Sequence, residues 1–314
     1  MIITLVLIII ILIVTIVCMV LKKPTNQTKK QYNHFMQNNK GLLDLNYHQY
    51  YDFGKNAQYL NNVLDNAREI LKEDTFFEYT DKHPIFAYIR TFTMFIQTEN
   101  SLNIAKQNGD KIEYTSQPIE TKESFDYTSA YFYFFDEYIR RFAIVNKKYL
   151  SLNKQLTIDL SKDPIVSRVW NVNRLSDNLR SIGQNVIKKN LYLVELPKGF
   201  VEEPNKFKQN NNHYTTYIYP IGYIQVQNGN HSINAGIMKS EGELKVTDIY
   251  DISDLYKRYS FDGTYLIDHE KDKKTELIFE FGALFEIGRI MLNYPEVFPE
   301  EIQKALDIGG KEIE

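Results

Sequence analysis

The sequence predicts an α+β fold: an N-terminal transmembrane helix, a helical bundle, then a small mixed sheet followed by a C-terminal helix. Three observations carry this reading. Residues 2–21, IITLVLIIIILIVTIVCMVL, form an uncharged apolar run. From Tyr51 to about Leu150 apolar residues recur at helical spacing. From Gly222 to Tyr250 the pattern is strand, turn, helix, strand, with Asn228-Gly229 as the turn.

In chain order, residues 1–21 are read as a membrane anchor, since such a run spans a bilayer core of about 30 Å. Lys22, Lys23, Lys29 and Lys30 follow it and no basic residue precedes it, which places the rest of the chain on the cytoplasmic side as a single-pass protein of the cell membrane. Residues 22–45 are a polar juxtamembrane linker. Residues 46–150 are expected to be a helical domain. One helix carries Leu60, Val63, Leu64, Ala67 and Leu71, and a second opens at Pro84 with Ile85, Ile89 and Phe92. A third is expected over Ser124 to Lys148. Residues 151–268 are the α/β domain, with a strand at Leu156–Leu160 broken at Asp163-Pro164. A helix over Arg174 to Ile182, a strand at Leu191–Leu196 and a polar insertion or long loop over Pro197–Asn212 follow. Residues 269–314 are a helical C-terminal segment in which Gly282 and Gly288 permit close packing.

Charge and composition exclude several chemistries. The 37 basic and 40 acidic residues nearly cancel, so no global basic field implies bulk nucleic-acid binding. The single cysteine, Cys18, lies in the apolar run, which rules out an intramolecular disulfide and a cysteine-based zinc site. None of the six histidines stands in a close zinc-ligand spacing, and no P-loop, dinucleotide fingerprint or serine-nucleophile motif is present. The metal, if there is one, is not identified by the sequence.

The chemistry then concentrates at the turn. Gly229 takes a positive φ at little cost, and the N–H groups of Asn230, His231 and Ser232 open a helix. Unpaired amides at the positive end of a helix dipole attract phosphate. The plain alternative is an ordinary turn with Ser232 as a helix cap. His213 and His231 flank the intervening strands and are the candidate general base and acid, or metal ligands, or else a loop residue and a hydrogen-bonded turn residue. Glu241, Glu243, Asp248 and Asp251 are candidate additional carboxylates.

With those residues in order, about 155–260 resembles the ParB/sulfiredoxin-like superfamily. Leu156–Leu160, Asp163-Pro164, the Arg174–Gly183 helix and Gly229-Asn230-His231-Ser232-Ile233-Asn234-Ala235 carry the resemblance. Gly229, His231 and Ala235 match by spacing, whereas Ser232 stands where an arginine is usual and Asn228 where an aspartate is common. The resemblance implies that the turn holds the phosphates of a nucleotide, with Mg²⁺ as a companion ion. Arg174, Arg168 or Lys239 would supply the charge that Ser232 lacks. Sulfiredoxin chemistry needs a reactive cysteine that this region does not have. The expected function is a membrane-anchored protein binding a nucleotide or nucleic-acid phosphate through Asn228, Gly229, Asn230, Ser232 and Arg174. Phosphoester hydrolysis by a nuclease or nucleotidase mechanism would be carried by His231 and His213. The alternative is an inactive, membrane-tethered protein-interaction module.

Overall fold

The computed structural model describes residues 55–72, 76–107, 139–187 and 203–309, all within one unit spanning 54–314. Its centre is a five-stranded sheet built from β1 (Tyr149–Asp159), β2 (Ile165–Val166), β3 (Tyr214–Tyr219), β4 (Tyr223–Asn228) and β5 (Glu243–Asp251), in the order β1-β5-β3-β4-β2. β3 and β4 form an antiparallel hairpin through the cis Tyr219–Pro220 bond and Gly222. β5 then returns to the other side of β3 and runs parallel to it, pairing Tyr217 with Ile249, while β1 closes the edge antiparallel to β5. The aromatic and β-branched runs YTTYIY and YIQVQN suit a pleated surface packed on both sides. Tyr217, Ile218, Ile224, Ile249 and Val246 are all buried, each aliphatic side chain contributing about 1.5–3 kcal/mol.

A second, three-stranded antiparallel sheet comprises β6 (Tyr259–Phe261), β7 (Tyr265–Asp268) and β8 (Lys273–Glu276). Its first hairpin turns at Asp262-Gly263, with Gly263 at φ 102°. β8 is an edge strand exposed throughout, and the charges of Lys273, Lys274 and Glu276 discourage further strand pairing. Arg258 holds Asp268 with two hydrogen bonds, Nε to Oδ1 at 2.8 Å and a terminal nitrogen to Oδ2 at 2.6 Å, which keeps the carboxyl below its ordinary range.

The helices are α1 (Asn56–Leu71), α2 (Ile85–Ala105), α3 (Arg140–Val145), α4 (Val172–Ser181), α5 (Asn230–Met238), α6 (Phe279–Met291) and α7 (Glu300–Leu306). α6 packs on α1, α2 and β6, and α7 lies along β1, where Glu301 meets Lys154 at 2.8 Å. One core cluster runs from Leu60 and Ile89 through the large sheet to Phe285 and Ile302. The helices expected as a separate bundle over 46–150 therefore share their core with the sheet. The aromatic and aliphatic stripes of α1 and α2 supply that common core. Gly282 and Gly288 do allow close approach, to Phe261 and to Tyr256 and Ile221, so the neighbours are strand and loop residues.

The expected fold needs correction at its membrane helix. No helix among the described residues is long and apolar enough to cross a membrane. Residues 2–21, to which that expectation was attached, and the linker at 22–45 lie outside the described residues. So do the Leu191–Leu196 strand and most of the third helix over Ser124–Lys148. Of that helix α3 is the described part, and β1 begins directly after it, at Tyr149.

Candidate anion site at two helix starts

The strand–turn–helix–strand stretch is present as β4, Gly229, α5 and β5. Gly229 has φ 82° and caps α5, and a Cβ there would come within 2.3 Å of His213 Cδ2. Both the backbone and the available space therefore require glycine. On the far side of α5, Gly236 lets the helix approach Leu160 and the Glu241 carbonyl. Ile233 N–H donates to the Gly229 carbonyl, the first bond of the helix. No acceptor among the described residues takes the N–H groups of Asn230, His231 or Ser232.

A second helix begins at the same place. Asn171 caps α4, its Oδ1 accepting from Arg174 N–H at 2.9 Å, and its own N–H donates to His231 Nε2 at 3.1 Å. The N–H groups of Val172 and Asn173 likewise have no acceptor among the described residues. Two positive helix ends thus meet across His231, and such ends favour an anionic partner.

The segment between β2 and α4, Ser167 to Asn171, is held in an unusual way. Each of its five consecutive backbone N–H groups donates to a side chain. Ser167 donates to Gln97 Oε1 at 3.2 Å, Arg168 to Asn230 Oδ1 at 2.6 Å and Val169 to Asn100 Oδ1 at 2.9 Å. Trp170 and Asn171 both donate to His231 Nε2, at 3.3 and 3.1 Å. The acceptors come from α2 and α5, so the segment is clamped between two helices much as a strand is held by its neighbours. Asn234 of α5 adds hydrogen bonds from Nδ2 to Ser101 Oγ and Ser167 Oγ at 3.0 and 3.2 Å.

This pattern fixes the histidine tautomers. His231 Nε2 accepts, so its proton sits on Nδ1. Burial first, and then the Arg174 charge, push this imidazole down to about 4, and it is neutral at ordinary pH. His213 Nδ1 accepts from Asn210 N–H at 2.9 Å, so Nε2–H donates to Ser232 Oγ at 2.6 Å, and Ser232 in turn donates to the Gly229 carbonyl at 3.0 Å. His213 is also lowered by burial and packs its ring on Phe207. In this arrangement neither histidine presents a free lone pair as a general base. His231 pins the Trp170–Asn171 backbone to α5, and His213 pins the Asn210–His213 loop to the turn.

The other expected site residues divide clearly. Arg174 is brought to the site, its guanidinium lying 4.9 Å from the centroid of the Trp170 ring and acting electrostatically on His231. Arg168 reaches it through its backbone bond to Asn230. Lys239 does not, for its ammonium binds the Ile182 carbonyl at the opposite end of α5. Asn228 Nδ2 donates to Asn212 Oδ1 at 2.7 Å and so ties the two loops together. Glu241 accepts from Gln184 and Phe207 N–H and so ties the segment after α4 to the one before β3. Asp248 accepts from the hydroxyls of Tyr149, Ser151 and Thr247, and none of its bonds reaches the turn. Asp251 faces Lys148 at 3.6 Å, and Glu243 is exposed. Among the described residues no cluster of three metal-ligating side chains is present. Sequence reasoning missed Trp170, Asn171, Gln97 and Asn100. Their trace was a row of polar residues, Thr93, Gln97, Asn100 and Ser101, set at helical spacing within an otherwise apolar helix and buried in the structure.

No curated protein and no solved structure matches the chain. A family model described as a family of unknown function, DUF6710, does match it over residues 21–298, and the chain belongs to that family.

Proposed function

We propose that this protein binds a phosphate-bearing ligand, a nucleotide or a nucleic-acid phosphate, where α4 and α5 begin. The observation that carries the reading is the convergence of the two helix starts. Five backbone N–H groups that have no acceptor among the described residues, those of Val172, Asn173, Asn230, His231 and Ser232, lie there, with Arg174 alongside. Such donors bind oxyanions through charge-assisted hydrogen bonds, and the arginine supplies the formal charge that Ser232 does not. The Ser232 hydroxyl is already engaged with His213 and Gly229, so its contribution is its amide. His213 and His231 hold the site's shape, which favours binding without a histidine-driven hydrolytic step.

The test is thermal denaturation of the full chain with ATP, CTP, GTP or short single-stranded DNA, each with and without Mg²⁺. A ligand that binds only the folded protein at about a hundred times its Kd adds roughly 2.7 kcal/mol of stability. A rise in melting temperature with at least one ligand is expected, with most of it lost in Arg174→Ala. Arg174 is exposed, so this variant should fold normally. The reading fails if no ligand shifts the transition at millimolar concentration, or if Arg174→Ala leaves every shift intact.

A further inference from the structure

Trp170 is the only tryptophan in the chain, and its side chain is 47 % exposed. It belongs to neither buried apolar cluster, so the core does not require an indole at this position. Its placement is nevertheless tightly determined. Its own N–H and that of Asn171 donate to His231, while the N–H groups of Arg168 and Val169 are held by Asn230 and Asn100. The ring meets the His231 ring edge-on, with centroids 5.0 Å apart and planes at 81°, and the Arg174 guanidinium lies over it at 4.9 Å. A large aromatic surface is therefore presented to solvent in a fixed position, next to the Arg174 guanidinium and between two helix starts.

We infer that Trp170 is a base-recognition platform. Resting on the phosphate reading above, the ligand is then one whose phosphate carries a nucleobase, and that base stacks on the indole or on the adjoining Arg174 plane. Aromatic side chains and arginine planes are the surfaces on which unpaired bases stack, and the interaction tolerates any base because every base has a π-face. The platform is open, which suits both a free nucleotide and one residue of a single strand. A preorganised indole also loses little side-chain freedom on binding, so stacking is realised almost fully as affinity.

The experiment is titration calorimetry of the full chain with tripolyphosphate, ATP and a short oligodeoxythymidylate, for wild type, Trp170→Ala and Trp170→Phe. Wild-type emission, which comes from Trp170 alone among tryptophans, gives a second readout. ATP is expected to bind about tenfold or more tightly than tripolyphosphate. Trp170→Ala should reduce ATP to the tripolyphosphate level while tripolyphosphate itself is unchanged, and Trp170→Phe should keep most of the preference. ATP or the oligonucleotide should quench the emission, and tripolyphosphate should not. Oligonucleotide binding without ATP binding, lost in Trp170→Ala, assigns the platform to a single strand. Equal affinities for ATP and tripolyphosphate, unaffected by Trp170→Ala, overturn the platform and leave the phosphate reading standing. Failure of all three probes to bind overturns both.

Discussion

His231 makes the most informative perturbation, because its geometry and its protonation can be varied separately. Replacing it with alanine leaves the Asn171 N–H, in a residue only 2 % exposed, without its acceptor. That omission costs about 1–3 kcal/mol. The lost ring packing raises the expected total to about 2–4 kcal/mol. Protonation acts through the same atom, since Nε2 cannot accept a hydrogen bond while it carries a proton. The folded imidazole lies at about 4 against an ordinary 6.5. Between those values the unfolded chain binds more protons than the folded one, so stability rises with pH across the window. Equivalently, the contribution is complete above about 6.5 and is lost as pH falls towards about 4. A shift of that size corresponds to at most roughly 3 kcal/mol, and solvent screening of the partly accessible ring reduces it to about 1–2 kcal/mol. His231→Gln keeps an acceptor but removes the titration. Urea denaturation, followed by Trp170 emission at several pH values, should show wild type losing about 1–2 kcal/mol more than His231→Gln between pH 6.5 and pH 4. His213 and the carboxylates titrate in both proteins and cancel in the comparison. Parallel pH profiles for the two proteins would refute the assignment of His231 as a neutral double acceptor.

Two further outcomes follow from packing and charge elsewhere. Gly229→Ala should lower stability by about 2–4 kcal/mol in chemical denaturation, combining left-handed backbone strain of about 1–2 kcal/mol with displacement of the buried His213 ring; a change below about 0.5 kcal/mol would mean the turn relaxes freely. Glu280 behaves oppositely to His231, because burial and then the charge of Glu99 raise its carboxyl to about 7. The folded protein binds the extra proton here, so this contribution is complete below about 4.5 and is lost as pH rises through about 7. Glu280→Gln should therefore equal wild type at pH 4.5 and exceed it by about 1–2 kcal/mol above pH 7.5, relaxation around the charged, mostly buried side chain reducing the full effect, and a constant difference across that range would refute the shift.

β4, the Gly229 turn, α5 and β5 were legible because their signals are local. Alternating Ile224 and Val226, an Asn-Gly turn and a small-residue helix all lie within one short stretch, and each constrains the backbone where it stands. The helix carrying Arg174 was legible too, from Leu175, Leu179 and Ile182 on one face with Gly183 beyond it, although it begins two residues earlier, at Val172. The histidine roles were not, because a tautomer is set by the partner of each nitrogen. Those partners are the Asn210, Trp170 and Asn171 amides, and only the folded chain reveals them. The same holds for Ser167–Asn171, whose acceptors stand about 60–70 residues away in sequence.

The polar stripe of α2 shows why its purpose is invisible in sequence but compelling in structure. Thr93, Gln97, Asn100 and Ser101 occupy the buried face of a helix otherwise rich in Ile and Phe, where apolar residues would pack at lower cost. A buried amide side chain is retained only where it is bonded, and here Gln97 and Asn100 accept from Ser167 and Val169 while Ser101 receives Asn234. The stripe therefore acts on Ser167 and Val169, the residues on either side of Arg168, through their backbone N–H groups. α2 and α5 grip one extended segment from two sides, and the Arg168 and Trp170 backbone N–H groups face α5. The helical N-terminal half is thus joined to the site through hydrogen bonds as well as through the common core. Removal of α2 should abolish the site along with its support, whereas removal of the Trp170 side chain should abolish ligand preference and leave the support intact.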